Sequence, residues 1–437
     1  MNRGEVIQRE AGFDALDAAA ASDGAAGNGA ARPPSVGTTP PGAASAGPAT
    51  PVAKRPLRIC WVLPGTGLSG GVKSTRLLAE AMVARGHDVT IAYPKAGPPW
   101  PSPLHVGSFV RHAWRGVKAW RSPADSQLPH HLESSTARLI PVNEREVLPQ
   151  HVPDADILIG TWWETMEWLR GWPACKGMLA HFIRHYELFG GDPERVREVY
   201  RLKTMKFCIA TWLRRLMAEE YGDPNAVLVP NGVDWSQFNS VPRDKAPVPT
   251  VGLLYSHVKW KDTPTAFEAI RIAQKTLPEL RVLAFGNKPM LPEHTPPSNL
   301  EFFVRPPQDQ IPQIYRQADC WIVSSVSEGF GMPGLESAAC RCPVVSTRCG
   351  GPEDYVQDGV SGYLVDVGDA EQMARRILDV VTQDNEKWRR MSEASYAISR
   401  RFNWERSAEI LEGALIAALE NAPAAPEPVV AAGAPVR

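Results

Sequence analysis

Strand-like and helix-like segments alternate along this chain in two successive series, and this alternation restricts its fold more than any other feature. In the first series, residues 57–63 are an apolar strand, followed by a Gly-rich turn and a helix over 72–85 that Gly86 stops. Residues 89–93 are the next strand, and further strands are expected at 156–160, 177–183, 207–210 and 227–229. Pro230-Asn231-Gly232-Val233-Asp234 is turn chemistry that closes this half. The second series has strands at 250–255, 281–285, 301–304, 320–324 and 343–346, a helix at 263–275, and helices between the remaining strands. Strands alternating with helices predict parallel sheets covered by helices. The expected class is α/β: two facing Rossmann-like, doubly wound parallel-sheet domains. Ligands of such sheets bind at the carboxyl ends of the strands, so the cleft between the domains is the expected site.

The 437 residues exceed what one hydrophobic core usually serves. The reading divides them into an Ala/Gly/Pro-rich tail (1–56), a first domain (57–234), a second domain (235–400), a last helix (401–420) and a second tail (421–437). Both tails are too poor in large apolar residues to offset the entropy of ordering, although a short helix is expected at about 7–20. The net charge of −1 gives no reason to expect a nucleic-acid partner. Seven scattered cysteines, none with zinc-knuckle spacing, are read as reduced thiols. The charged N-terminus is unlike a secretory signal, and no apolar run reaches the ~18 residues of a spanning helix. A cytoplasmic protein is expected, touching a membrane only at its surface.

The most informative segment is Ser327-Glu328-Gly329-Phe330-Gly331-Met332-Pro333-Gly334-Leu335-Glu336. A strand runs into a glycine-containing loop, and Pro333 suits the first turn of the following helix. Free amides at that start can receive phosphate or sugar oxygens. Gly329 and Gly331 permit close backbone approach. Glu328 could hold sugar hydroxyls from the loop, and Glu336, placed in the first helical turn, could accept both hydroxyls of a ribose. Taken singly, each glutamate could equally be a loop carboxylate or a charge favoured by a helix dipole.

The ordered set resembles retaining family-4 glycosyltransferases, of the GT-B fold and glycosyl transferases group 1, whose signature has two glutamates with seven residues between them around Gly-Phe-Gly. Pro343-Val344-Val345-Ser346-Thr347, Gly350-Gly351-Pro352-Glu353 and Asp358-Gly359-Val360-Ser361-Gly362-Tyr363-Leu364-Val365 continue the resemblance, and Val229 to Asp234 is similar to the family's domain connector. The resemblance covers about residues 57–420. It implies transfer of a sugar from a nucleoside-diphosphate sugar, with anomeric configuration retained, to a glycan, lipid-linked or small-molecule acceptor, as in cell-surface polysaccharide or glycoconjugate synthesis. It implies no cofactor besides the donor and no metal. Glu336 would bind the ribose, Glu328 the donor sugar, and the amides of Gly329, Phe330, Gly331 and Met332 the sugar and phosphates.

A departing diphosphate calls for positive charge. The resemblance implies an Arg and, five residues later, a Lys after the first strand of the second domain. Lys261 fits the Lys, whereas Ser256 stands at the Arg position, leaving His257 or Lys259 as substitutes. In the first domain, Gly65-Thr66-Gly67-Leu68-Ser69-Gly70-Gly71 contains the spaced glycines of a dinucleotide loop. The next strand ends Ala92-Tyr93-Pro94-Lys95 without the acid that NAD needs, and Lys73 follows Val72, which excludes a P-loop. The resemblance gives Gly70 and Gly71 to the donor phosphates and acceptor. It places His185, or Arg184, at a strand end facing the donor sugar, while His181 is read as a packed core histidine. Residues 109–121 form a basic amphipathic pattern suited either to packing on the domain or to an anionic membrane surface. Phe402 to Ala408 opens a helix that the family returns to the first domain, with Asn403 as cap and Trp404 as packing anchor. The rival readings are a nucleotide-sugar epimerase or hydrolase on the same fold, a nucleotide-sugar-binding protein without turnover and, more remotely, an enzyme of NAD-dependent oxidation.

Overall fold

The computed structural model describes residues 7–9, 55–95 and 130–421. Two seven-stranded sheets carry the fold, and every strand pairing within them is parallel. The first contains β2 (Arg58–Val62), β3 (Asp88–Pro94), β4 (Arg138–Val142), β5 (Ile157–Gly160), β6 (Met178–Ile183), β7 (Met205–Cys208) and β8 (Val227–Leu228), in the order β4-β3-β2-β5-β6-β7-β8. The second contains β1 (Ile7–Arg9), β9 (Thr250–Leu254), β10 (Arg281–Gly286), β11 (Leu300–Val304), β12 (Cys320–Val323), β13 (Val344–Thr347) and β14 (Gly362–Val365), in the order β1-β11-β10-β9-β12-β13-β14. These are the two doubly wound α/β domains that the alternation predicts.

Three elements differ from the sequence reading. Ile7–Arg9 is a strand rather than the start of a helix, because its backbone pairs with the edge strand β11 in register Ile7 to Glu301. The rest of the expected N-terminal helix lies outside the described residues, as does 109–121. β4 was not anticipated: Pro141 argues against a strand, but β4 is an edge strand and tolerates it. β14 gave no separate strand signal, since its four residues follow a loop rich in turn chemistry.

The order of each sheet reverses beside its first long strand, which sets where ligands can bind. In the first sheet the reversal lies between β2 and β5, whose carboxyl ends lead into Leu63 to Gly71 and Thr161 to Trp162. In the second it lies between β9 and β12, whose ends lead into Tyr255 to Lys261 and Ser324 to Gly331. One cluster of buried apolar side chains runs from Trp61 and Phe182 in the first domain to Tyr315, Trp321 and Phe330 in the second. Burial of that size holds the domains together in this arrangement. The helix Trp404–Glu420 leaves the second domain and packs on the first-domain helix Gly70–Ala84. Asn403 caps it by accepting from the Arg406 amide at 2.7 Å. Trp404, Ala408, Leu411 and Leu415 are buried in the same cluster as Leu78 and Met82. Among the described residues, no helix is long and apolar enough to cross a membrane.

Candidate functional site

The second-domain half of the cleft is built by the loop after β12. Its backbone is tied to the end of β13: Glu328 N donates to Cys349 O at 2.7 Å, and Gly351 N to Glu328 O at 3.1 Å. Gly331 has a left-handed φ of +80° and accepts the Tyr355 hydroxyl on its carbonyl at 2.7 Å. The left-handed turn aims the start of the helix Met332–Ala339 at the first domain. Phe330 is buried against Tyr355 and Phe402, so it anchors the loop through its ring and leaves only its backbone for a ligand.

The two glutamates are both buried and both held by lysines. Glu328 Oε1 accepts from Lys261 Nζ and from Ser325 Oγ, each at 2.6 Å. Lys261 reaches it from a short turn, Lys259–Lys261, fastened to β12 by Ser324 Oγ at 3.0 Å from the Lys261 carbonyl. Glu336 opens the second turn of its helix, not the first as the sequence reading placed it, because the helix begins at Met332 and Pro333 is its second residue. Glu336 Oε1 accepts from Lys73 Nζ at 2.9 Å and Oε2 from the Tyr315 hydroxyl at 3.2 Å. Lys73 belongs to the first domain, so this ion pair crosses the cleft. Lys259 is exposed to solvent. His257 faces its own domain, with Nε2 2.8 Å from the Pro289 carbonyl oxygen and its ring edge-on to Tyr255.

The first-domain half is built at the ends of β2, β5 and β6. Gly70 faces Met332, and a Cβ added to Gly70 would lie 3.9 Å from the Met332 side chain. Gly71 joins Leu63 to Val72, Thr161, Trp162, Glu164, Arg184, His185, Phe189 and Trp260 around a cavity of ≈ 570 Å³. Aromatic rings form much of its wall, and Phe189 meets Trp260 of the second domain at 4.1 Å between centroids. His185 lies edge-on to Phe189 and Trp212, its Nε2 3.5 Å from the hydroxyl of Ser327. Burial pushes the His185 pKa down, which favours a neutral ring at neutral pH. Arg184 is turned inward: it donates to Ser74 Oγ and, at 2.7 Å, to Thr75 Oγ1, and burial lowers its pKa to about 9. Glu187 receives the Trp163 amide at 2.8 Å, and its burial raises its pKa well above the usual carboxylate range. His181 is wholly buried in β6, with neither ring nitrogen bonded and its pKa pressed down to about 3 by burial.

Contacts that no sequence pattern announced hold the halves together. Trp212 Nε1 donates across the cleft to the carbonyls of Glu328 at 3.0 Å and Gly329 at 3.1 Å. The helix Thr211–Tyr221 has no capping side chain of its own; Asp354 of the second domain accepts the Thr211 amide at 2.8 Å instead. Gly329 is packed so closely on the Arg184 carbonyl that an added Cβ would fall 1.9 Å from its oxygen. Thus Glu328, Lys261 and His185 converge, Glu336 joins Lys73, and Gly70, Gly71 and Met332 line the meeting of two helix starts. His257 and Lys259 stand apart. Lys73, Tyr315, Trp212 and Asp354 complete the arrangement.

Comparison with known proteins gives this geometry a context. Residues 235–398 match the glycosyl transferases group 1 family. Over 128 residues the chain is 37% identical to a D-inositol 3-phosphate glycosyltransferase of Segniliparus rotundus, covering 29% of this chain and 28% of that protein. Over 95 residues it is 36% identical to a sucrose synthase of Acidithiobacillus caldus, covering 21% of this chain and 12% of that protein. The chain therefore spans only about a quarter or less of these two curated relatives. Among solved structures, Anabaena HepE in complex with UDP-glucose superimposes with a TM-score of 0.61 at 16% identity, over 82% of this chain and 100% of that one. Sucrose-phosphate synthase from Thermosynechococcus elongatus gives 0.59 at 17% identity, over 83% and 99%. At such identities the likeness is one of fold, and it extends over both domains. This chain carries a glycosyl transferases group 1 domain at residues 235–398, within the two-domain GT-B fold of known glycosyltransferases.

Proposed function

We propose that the protein is a retaining glycosyltransferase that uses a nucleoside-diphosphate sugar. The observation that carries this reading is the cross-cleft convergence of Glu328 and Lys261 with His185, at the loop that leads into the helix bearing Glu336. In the proposed complex, Glu336 accepts the ribose hydroxyls, and the diphosphate lies between the starts of the helices Met332–Ala339 and Gly70–Ala84. Amide dipoles at both starts favour an anion there. The donor sugar lies beside Glu328, which orients its hydroxyls, and Lys261 meets the charge that develops on the leaving diphosphate. The acceptor enters the 570 Å³ cavity and stacks a sugar or apolar face on Trp162, Phe189 and Trp260.

The reaction needs no side-chain nucleophile. The acceptor oxygen attacks the anomeric carbon on the face from which the carbon–oxygen bond to the diphosphate breaks, and the acceptor proton passes to a diphosphate oxygen. A neutral His185 contributes a polar edge without adding charge beside the forming bond. Attack on that face retains the anomeric configuration.

The test is a panel of uridine and guanosine diphosphate sugars, beginning with UDP-glucose because HepE was solved with it. Thermal shift identifies the donor, since stabilisation grows with ligand excess over its dissociation constant. NMR of the product formed with added acceptors, D-inositol 3-phosphate among them, reads the anomer. One donor should shift the protein and lose its effect in Glu336→Ala. A protein shifted by NAD and by no nucleotide sugar would end this reading, and an inverted product would end its retaining part.

A further inference from the structure

In the donor reading, Glu336 receives the ribose, and in this structure Lys73 is paired with that carboxylate. Both side chains are about nine-tenths buried. Lys73 Nζ also lies 3.4 Å from Gln237 Oε1 and 4.4 Å from the centre of the Phe238 ring, so it is seated rather than draped. Both carboxylate oxygens of Glu336 are taken, one by Lys73 and one by Tyr315. The cavity beside Lys261, Glu328, Gly331 and Pro333 measures ≈ 20 Å³. Sites for ligands of this size occupy roughly 300 Å³ or more, so a donor must open the cleft and displace a resident group. The resident group on Glu336 is Lys73.

Its place in the chain says where Lys73 can go. It is the fourth residue of the helix Gly70–Ala84, whose first turn contains no acidic residue. A cation at a helix start opposes the dipole unless an anion is near. In this structure the anion is Glu336. With a nucleoside diphosphate present, the ribose hydroxyls need that carboxylate, and the phosphates joined to the same ribose place new anionic oxygens at the same helix start. Lys261, assigned above to the charge on the leaving diphosphate, is paired with Glu328, and Lys259 is exposed to solvent, so Lys73 is the further cation placed to reach the phosphates.

We propose that Lys73 is a donor-binding residue with two stations: it fills the ribose carboxylate Glu336 in the donor-free molecule and moves to the diphosphate when the ribose takes its place. The inference rests on the donor reading of the cleft. It has a consequence that neither a simple phosphate ligand nor a simple interdomain strut would have. Removing Lys73 must favour the nucleoside over the nucleoside diphosphate, because both compete with Lys73 for Glu336 and only the second recruits it.

The experiment is calorimetric titration of the full chain with UDP and GDP, and with uridine and guanosine, for wild type, Lys73→Met and Lys73→Arg. Circular dichroism confirms folding, and Lys73→Gln, which keeps a donor for Glu336, stands in if Lys73→Met does not fold. Loss of Lys73 should lower the affinity of the diphosphate relative to its nucleoside about tenfold or more, as expected for a lost charge-assisted hydrogen bond, with the nucleoside itself binding tighter. Lys73→Arg should stay within a few-fold of wild type for the diphosphate. A diphosphate-to-nucleoside affinity ratio that is the same in Lys73→Met as in wild type would overturn the phosphate station. A nucleoside that binds it more weakly would overturn the competition for Glu336. A wild-type protein that binds neither diphosphate would instead remove the donor reading, and this inference with it.

Discussion

Gly329→Ala probes the cross-cleft arrangement most directly. Its new methyl would fall 1.9 Å from the Arg184 carbonyl oxygen, on the opposite domain. An ordinary carbon–oxygen contact is about 3.3 Å, so the domains must separate there by about 1.4 Å. Both neighbouring bridges then break: Trp212 Nε1 to the Glu328 and Gly329 carbonyls, and Thr211 N to Asp354. At about 1 kcal/mol for the first and 1.5–3 for the charge-assisted second, closure weakens by roughly 2.5–4 kcal/mol. Converted at 1.4 kcal/mol per tenfold, the closed population falls about 60- to 700-fold relative to open. Each domain keeps its own sheet, so the expected result is a folded protein with a larger radius of gyration by X-ray scattering. Turnover with the identified donor should fall in the same range. Unchanged scattering together with wild-type turnover would refute the reasoning, since it would show that the loop relieves the clash locally or that this closure is not the productive one.

Lys261→Met should reduce kcat about 10²–10³-fold, as for loss of a group that stabilises a leaving charge, with little change in melting temperature; a rate within threefold of wild type would remove Lys261 from that role. Asp354→Ala should loosen closure by about 1.5–3 kcal/mol, the range for a hydrogen bond to a charged group, read as lower interdomain energy transfer between dyes on the two domains. His181 links pH to stability: its folded pKa of about 3 lies below its ordinary 6.5, so its neutral buried form is fully compatible with folding above pH 6.5. As pH falls from 6.5 towards 3, the unfolded chain takes a proton that the fold refuses, at up to ~1.4 kcal/mol per pH unit. His181→Phe should flatten the slope of urea-unfolding stability across that window, and an unaltered slope would mean that the wild-type loss comes from other groups.

The sequence was informative where a physical signal is local. Alternating apolar strands and amphipathic helices placed both sheets, and glycines beside spaced glutamates marked the loop after β12. It was silent where one residue's role depends on a distant partner. Lys73 served only to reject a P-loop, because nothing near it in sequence points to Glu336, 263 positions away. Asp354 looks like an ordinary charge in a turn until the uncapped helix at Thr211 meets it. His257 and Lys259 were sensible candidates by proximity to Lys261, yet the short turn Lys259–Lys261 sends Lys261 inward and leaves Lys259 in solvent. Glu336 was misplaced by one helical turn because a Pro near a helix start does not say whether it is the first residue or the second.

The return of the last helix also bears on how the chain is made. Leu78 and Met82, near the beginning of the described chain, are covered by Leu411 and Leu415, near its end. Synthesis proceeds from the N-terminus, so the first domain must wait with an apolar stripe uncovered while the whole second domain emerges and folds. A chain halted before residue 404 would have the strands of both sheets and lack only the helix that covers the first domain's stripe, and that exposed stripe is where a chaperone would find the nascent chain.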